Sequence, residues 1–390
     1  MGPRRRESRF GPICPLYLRD CSGAWTGLRA PSVDAANARW AGSIALQIVV
    51  SSAVLLPERF RGLRLRRLDF KTVASALPHD GAHLTIRGEG GQGSATLARM
   101  TPSRSRFLTI RGVRYHVREW GADGAPQLFL LHGWMDVSAS FQFLVEALSA
   151  DWHVIAPDWR GFGLTEWRGD AYWFPDYLGD LDAILRFYSP EAAVTLIGHS
   201  MGGNVACMYA GVRPARVRRL IALDAFGLAD SDPGQAPGRL EKWLRELETP
   251  PQFGSFPSRD ALAARLQGDN PRLSNEKAAF LAEHLGEPDG QGGIRRAGDP
   301  AHKRVNPILY RRAEARAAWA RVTAQTLWIE PADDGLRRKL GITDEAHAEA
   351  RVCFRNFREV QVADSGHNLH HDQPGEVARI IEAFLLSEES

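Results

Sequence analysis

The sequence predicts an α/β protein: a mostly parallel sheet covered by helices on both faces, with a helical cap inserted between strands six and seven. Short, continuous apolar runs alternate with segments of helical periodicity from about Phe107 to Leu386. Those runs lack the in–out alternation of a half-exposed strand, as expected of strands buried on both sides. Between about Gly227 and Val322 the alternation gives way to amphipathic helix patterns alone. A chain of 390 residues, 44% hydrophobic, is long enough for one large α/β domain with additions and too apolar for wholesale disorder. No apolar run reaches the roughly 18 residues of a spanning helix.

Taken in order, Phe107–Ile110 and Val113–Trp120 are β-rich and flank Arg111-Gly112, which makes them a hairpin. Gln127–Leu131 reads as a buried central strand, and Ser138–Leu148 has helical spacing. His153–Ala156 is a strand, Trp173–Phe187 a helix, Ala193–Ile197 a strand and Met201–Gly211 a helix. Val217–Leu223, Thr326–Ile329 and Val360–Val362 complete the strands. Gly375–Leu386 is the closing helix, with Pro374 suited to its start. The cap is read as residues 227–322, because LEKWLREL, RDALAARL, NEKAAFLAEHL and YRRAEARAAWARV are all helical patterns separated by Pro- and Gly-rich turns. The core is then residues 100–226 and 323–390.

Residues 1–99 are a different kind of sequence. They hold 15 Lys and Arg against 7 Asp and Glu, a charge of +8, whereas the remaining 291 residues hold 34 and 39, or −5. The overall +3 averages these two. The only dense basic cluster, RGLRLRR, lacks the aromatic interleaving of a nucleic-acid arm. The apolar stretch Ala41–Leu56 is short, interrupted by Ser and Gln, and too far in for a usual secretory signal. A targeting leader or membrane-surface anchor therefore ranks below a poorly ordered or non-native extension, with Met100 as the expected initiator. Neither nucleic-acid binding nor stable membrane insertion is expected of the enzyme part.

The chemistry begins at Gly198-His199-Ser200-Met201-Gly202-Gly203, directly after AAVTLI and before a helix. A serine on so sharp a strand-to-helix turn needs small neighbours, and the turn sets its hydroxyl at a helix N-terminus, where backbone N–H groups favour developing negative charge. With LLHGW upstream and SGHNL downstream, this arrangement resembles the serine-nucleophile branch of the α/β-hydrolase superfamily over about Phe107–Leu386. HGWMDVSASF is similar to the opening of its serine-hydrolase-like and esterase-type members. The resemblance implies an oxyanion hole from the backbone N–H groups of Trp134 and Met201. It also matches Asp158–Gly163 to the family's D-x-R-G-x-G loop, where Arg160 is read as structural; His132 is likewise read as a turn residue.

Serine needs an adjacent base. His367, in VADSGHNLHHDQP, stands where the superfamily keeps its own, with His370 and His371 as the nearest competitors. The spacing His-x-x-His-His lacks carboxylate or cysteine partners, so no metal is expected, and no cofactor. The acid is less plain. After TLWI the family's Gly-x-x-Asp is replaced by Glu330-Pro331-Ala332-Asp333-Asp334, which aligns Asp334 with the acid position. Asp333 and Asp224, the latter ending IALD, are the alternatives, with Glu330 behind them.

These residues point to acyl transfer to water: Ser200 as nucleophile, His367 as base and then acid, Asp334 orienting it. Serine at the turn argues against relatives resembling haloalkane dehalogenases or epoxide hydrolases, which use aspartate there. Trp134, Trp159 and Trp173 are the expected pocket aromatics, suiting a small hydrophobic or aromatic ester-like substrate. Carbon–carbon bond hydrolysis, lactone opening and perhydrolysis use the same triad and stay open, as does a non-catalytic binding role. Cys207 reads as a small buried hydrophobe. The expected compartment is the cytoplasm; oligomeric state is not legible.

Overall fold

The computed structural model describes residues 100–387 except 170, together with Leu18–Arg19 and Trp25–Thr26. The chain divides into two compact units, Met1–Glu89 and Gly90–Ser390. In the first, the described residues form one short antiparallel pair, Leu18 opposite Thr26 and Arg19 opposite Trp25. The other expectations for residues 1–99, including RGLRLRR and Ala41–Leu56, lie outside the described residues.

The second unit is built on an eight-stranded sheet. Its strands are β1 (Arg104–Ile110), β2 (Val113–Trp120), β3 (Gln127–Leu131), β4 (His153–Pro157), β5 (Val194–His199), β6 (Val217–Leu223), β7 (Gln325–Pro331) and β8 (Phe357–Val362). Their spatial order is β8-β7-β6-β5-β3-β4-β2-β1. The β1–β2 and β2–β4 pairs are antiparallel and the rest parallel. Arg111 (φ 49°) and Gly112 (φ 78°) are both left-handed, as a two-residue type I′ hairpin turn requires.

Side-chain alternation along the buried strands feeds two cores. Phe129, Leu131 and Leu196 share one with residues of α2 (Phe174–Tyr188) and α3 (Met201–Val212). Leu128, Leu130 and Ile197 share the other with residues of α1 (Gln142–Ala147) and the closing helix (Pro374–Leu386). Because successive side chains point to opposite faces, each uninterrupted run can supply both layers.

The segment between β6 and β7 contains α4 (Ala236–Glu248), α5 (Arg259–Asp269), α6 (Asn275–Leu285), a small hairpin (Gly286–Pro288 with Ile294–Arg296) and α7 (Arg312–Trp319). Ser258 and Ser274 cap α5 and α6, each hydroxyl accepting a first-turn N–H. Leu262, Leu266 and Leu281 form a third cluster with Val137, Ala139 and Phe143 of the core. Two ends of the segment behave differently. Helix α4 buries none of its residues, whereas Ala315 and Trp319 of α7 belong to the main core. At Gly211 of α3 a β-carbon would meet the Ala318 carbonyl oxygen at 2.0 Å, so α7 is docked backbone to backbone on a sheet-face helix. Two short helices follow β7: α8 (Gly335–Lys339) and α9 (Asp344–Arg351). A third, α10 (Leu369–Asp372), precedes α11 (Pro374–Leu386). Among the described residues no helix is long and apolar enough to cross a membrane.

Candidate active site

Ser200 sits between β5 and α3 with φ 52° and ψ −118°, a conformation costing a non-glycine residue about 1–3 kcal/mol. Its N–H donates to the Leu223 carbonyl (3.0 Å), tying the turn to the end of β6. The small neighbours are obligatory. A β-carbon at Gly198 would lie 2.5 Å from the Gly202 and Gly203 backbone, and one at Gly202 2.1 Å from the Leu131 carbonyl oxygen. Met201 begins α3, so its N–H has no partner four residues back inside the helix and is available to a ligand. Trp134, in the loop after β3, is half exposed (53%) and lines the same cavity as Ser200 and Met201.

That cavity, about 630 Å³, also contains His367 and Asp224. His367 lies in the loop after β8. Its Nδ1–H donates to Asp224 Oδ2 at 2.6 Å, which fixes the tautomer and leaves Nε2 as the free lone pair. Asp224 directly follows β6, is 5% exposed, and has φ 45°; its N–H donates to the Ile329 carbonyl (3.0 Å). Burial pushes its carboxyl above the usual range, the His367 bond working in the opposite direction. Behind the base, His199 Nε2–H donates to the His367 carbonyl oxygen (2.9 Å), and the two rings are 4.6 Å apart.

The carboxylate that meets His367 is thus Asp224, one of the alternatives, and not Asp334, which the sequence favoured. Asp334 caps α8 and its carboxylate pairs with Arg337 (2.9 Å) and Arg338 (2.5 Å). Asp333 accepts the Gly335 N–H (3.0 Å), and Glu330 bonds His347 (2.6 Å). The reason is strand pairing past β7: Ala332 N–H donates to Val362 O and Asp333 N–H to Ser365 O, which carries this segment onward beside β8. The end of β6, one strand over, supplies the carboxylate instead.

Other expected residues separate by their surroundings. His132 takes the Trp159 N–H on Nε2 (2.8 Å) and gives Nδ1–H to Gly133 O (2.7 Å), so both ring nitrogens order the loop. Arg160 makes two bonds to Asp180 (2.5 and 2.6 Å) and does not line the cavity. Trp173 does line it. Trp159 does not: it is fully buried, its Nε1–H donating to His132 O (2.9 Å) and its ring packed edge-on to Tyr177. His370 and His371 are buried in α10, away from the cavity wall. Burial pushes the Cys207 thiol up to about 12, in keeping with an inert packing role.

Sequence reasoning missed the wall contributed by the inserted segment. Trp243 of α4, His302 and Asn306 all line the cavity that holds Ser200 and His367. It also missed Asn204, whose Oδ1 accepts the Gly227 N–H (2.8 Å) and so anchors the start of that segment to α3. Cavity-lining aromatics at helical spacing look identical to core residues in a sequence. Among the described residues, three groups bring histidine and carboxylate donors within 4.8 Å: Asp136–His199–His370, Glu119–Asp123–His153 and Glu330–His347–Glu359.

Comparison with known proteins agrees with this architecture. A serine hydrolase-like protein of Danio rerio is 28% identical over 283 residues, covering 68% of this chain and 83% of that protein. A 3-hydroxybutyrate-oligomer hydrolase of Cupriavidus necator is 32% identical over 150 residues, 38% of this chain and 48% of its own. Among solved structures, the thioesterase domain from the curacin biosynthetic pathway superposes with a TM-score of 0.66 at 24% identity, covering 72% of this chain and 99% of that domain. Residues 126–374 match the family described by the alpha/beta hydrolase fold. With the tight strand-to-helix turn at Ser200, the sheet order and the family match in agreement, the chain belongs to the α/β hydrolases and is a hydrolase.

Proposed function

We propose that this hydrolase cleaves esters of apolar acyl or aryl groups through a Ser200–His367–Asp224 triad. The observation that carries it is the 2.6 Å bond from His367 Nδ1–H to the buried Asp224, in the cavity that holds Ser200. His367 Nε2 accepts the Ser200 proton as Oγ attacks the carbonyl carbon. The Trp134 and Met201 N–H groups hold the oxyanion, and His367 then protonates the departing alcohol. Water, deprotonated by the same imidazole, releases the acid. Asp224 stabilises the imidazolium at both stages.

The substrate class follows from the walls. Trp134, Trp173, Trp243, Phe226 and Leu228 make much of the wall apolar, with Asn204, His302, Arg304 and Asn306 as polar groups besides the triad. A second cavity of about 480 Å³ adjoins it, sharing Trp173, Phe174, Asn204 and Gly227 and continuing to Met208 and Trp319. Together they have room for an extended chain. The inserted segment, whose Trp243 and Asn306 form part of the wall, acts as the lid. A relative named for hydrolysing 3-hydroxybutyrate oligomers supports cleavage at a carbonyl.

A fluorophosphonate probe should label the folded protein, and Ser200→Ala should abolish both labelling and turnover. In a series of p-nitrophenyl esters, kcat/KM should rise by up to about fourfold per added methylene until the cavity is filled, from about 0.8 kcal/mol per buried CH2. Absence of labelling in folded protein refutes the serine mechanism; acetate as the best ester refutes the apolar substrate.

A further inference from the structure

We propose that Asp136, His199 and His370 form a binding site for one divalent transition ion of the zinc class, buried behind the triad. The carboxylate that adjoins the His-x-x-His-His stretch, Asp372, is held by Asn270 and Gly366, but the fold brings Asp136 from the loop after β3 and His199 from the end of β5 to His370 in α10. One donor atom from each falls within 4.8 Å of the others.

The hydrogen bonds decide which atoms are free. A backbone carbonyl only accepts, so His199 Nε2, 2.9 Å from His367 O, carries the ring proton. Its Nδ1 is therefore a bare lone pair; it is buried and has no partner. Imidazole ligands commonly take this form, one nitrogen fixed by a backbone carbonyl and the other on the metal. His370 is fully buried, and neither of its ring nitrogens has a partner. Three orphaned, desolvated nitrogens in two adjoining rings, whose centroids lie 4.4 Å apart, are costly unless something occupies the space between them.

Asp136 supplies the charge. Its Oδ1 accepts the Val137 N–H (2.9 Å) and its Oδ2 the Ser140 hydroxyl (2.8 Å), which hold the carboxylate in place and leave each oxygen a further lone pair. A tetrahedral ion with bonds of about 2.0–2.1 Å wants its donors about 3.3 Å apart, within the 4.8 Å that bounds these three. None of the three side chains lines the triad cavity, so the ion would be structural. It would cross-link the loop that carries Trp134, the strand end that precedes Ser200, and the helix that follows His367.

The test uses untagged full-length protein, stripped with chelator and then dialysed against Zn2+ alone. Elemental analysis should find one ion per chain, and thermal midpoints should rise with Zn2+ concentration. Asp136→Asn and His370→Gln should each weaken Zn2+ binding by at least tenfold while fluorophosphonate labelling of Ser200 reports that both are folded. Two results overturn the proposal. One is wild-type protein that retains no Zn2+ and shows no midpoint shift, which assigns the cluster to a buried water. The other is Zn2+ held equally by wild type and both variants, which places the ion elsewhere; its loss in Glu119→Gln or Glu330→Gln would then identify one of the other two clusters.

Discussion

Asp224→Asn is the sharpest test of the proposed catalytic arrangement. In the wild type one 2.6 Å bond holds the His367 ring and places a negative charge against it. The amide removes the charge whichever way it faces. If its oxygen accepts from Nδ1–H, the tautomer survives but the imidazolium loses a charge-assisted bond of about 1.5–3 kcal/mol, or 10- to 150-fold in rate. If its NH2 faces Nδ1, the proton is driven to Nε2 and the base is lost, an effect of about 10⁴ in the serine-protease precedent. Turnover should therefore fall by about one to four orders of magnitude, with little change in KM. Stability should not follow activity. Because burial raises the Asp224 pKa, the folded state binds that proton more tightly than the unfolded chain. Ionisation above that pKa therefore costs stability, and an uncharged amide removes the cost. The thermal midpoint should be unchanged or slightly higher. Asp334→Asn loses only partly exposed pairs with Arg337 and Arg338, worth less than about 1 kcal/mol, and should keep turnover within about twofold. Steady-state p-nitrophenyl ester kinetics with thermal melts decide the matter. Asp224→Asn within about tenfold of wild type, beside a collapsed Asp334→Asn, refutes Asp224 as the acid.

Acid should destabilise the fold through buried neutral histidines. His302, stacked between Phe162 (3.8 Å) and Tyr172 (3.7 Å), is pushed down to about 3 by burial, so between pH 6.5 and 3 the unfolded chain binds the extra proton and stability falls as pH falls. From pH 7 to 5 that contribution is about 2 kcal/mol, and His302→Phe should show a flatter decline of thermal midpoint over that range; an equal slope contradicts the assignment. Gly211→Ala drives a β-carbon into the Ala318 carbonyl and should cost about 1–3 kcal/mol in urea unfolding, unless α7 is not docked there. Trp159→Phe should lose about 1 kcal/mol with its bond to His132 O while leaving KM alone, whereas Trp173→Ala should raise KM several-fold; the reverse pattern would put Trp159 in the pocket after all.

The sheet was legible because its strands are buried on both faces. QLFLL and VTLIGH are mostly apolar and buried almost throughout, as a covered sheet requires, and each lies within two residues of its expected place. The nucleophile turn was legible for a steric reason: a serine at φ 52° flanked by glycines that admit no β-carbon leaves a short local signature. The inserted segment was legible as helices but not in its allegiance. The pattern of α7 is as amphipathic as that of α4, yet α7 docks on α3 through Gly211 while α4 exposes Leu240, Leu244 and Leu247. Which apolar stripe finds a partner depends on a contact far away in the chain.

The choice among Asp334, Asp333 and Asp224 was not legible, because the proposed triad needs a carboxylate at a point in space that two strand ends can reach. β6 and β7 are adjacent parallel strands about 4.8 Å apart, so the residues that follow each leave the same edge of the sheet. Motif reasoning favours the β7 end, where acidic residues cluster. The decision instead turns on local bonds: Asp333 and Asp334 are drawn into the cap of α8 by Gly335, Arg337 and Arg338, whereas Asp224 is buried with its backbone pinned to Ile329 and meets His367 alone. The same logic hid Asp136 from His370. A carboxylate's partner is set by the loop that desolvates it, and three of the residues that matter most here, Asp136, Asp224 and Asn204, act across strand boundaries that sequence spacing does not register.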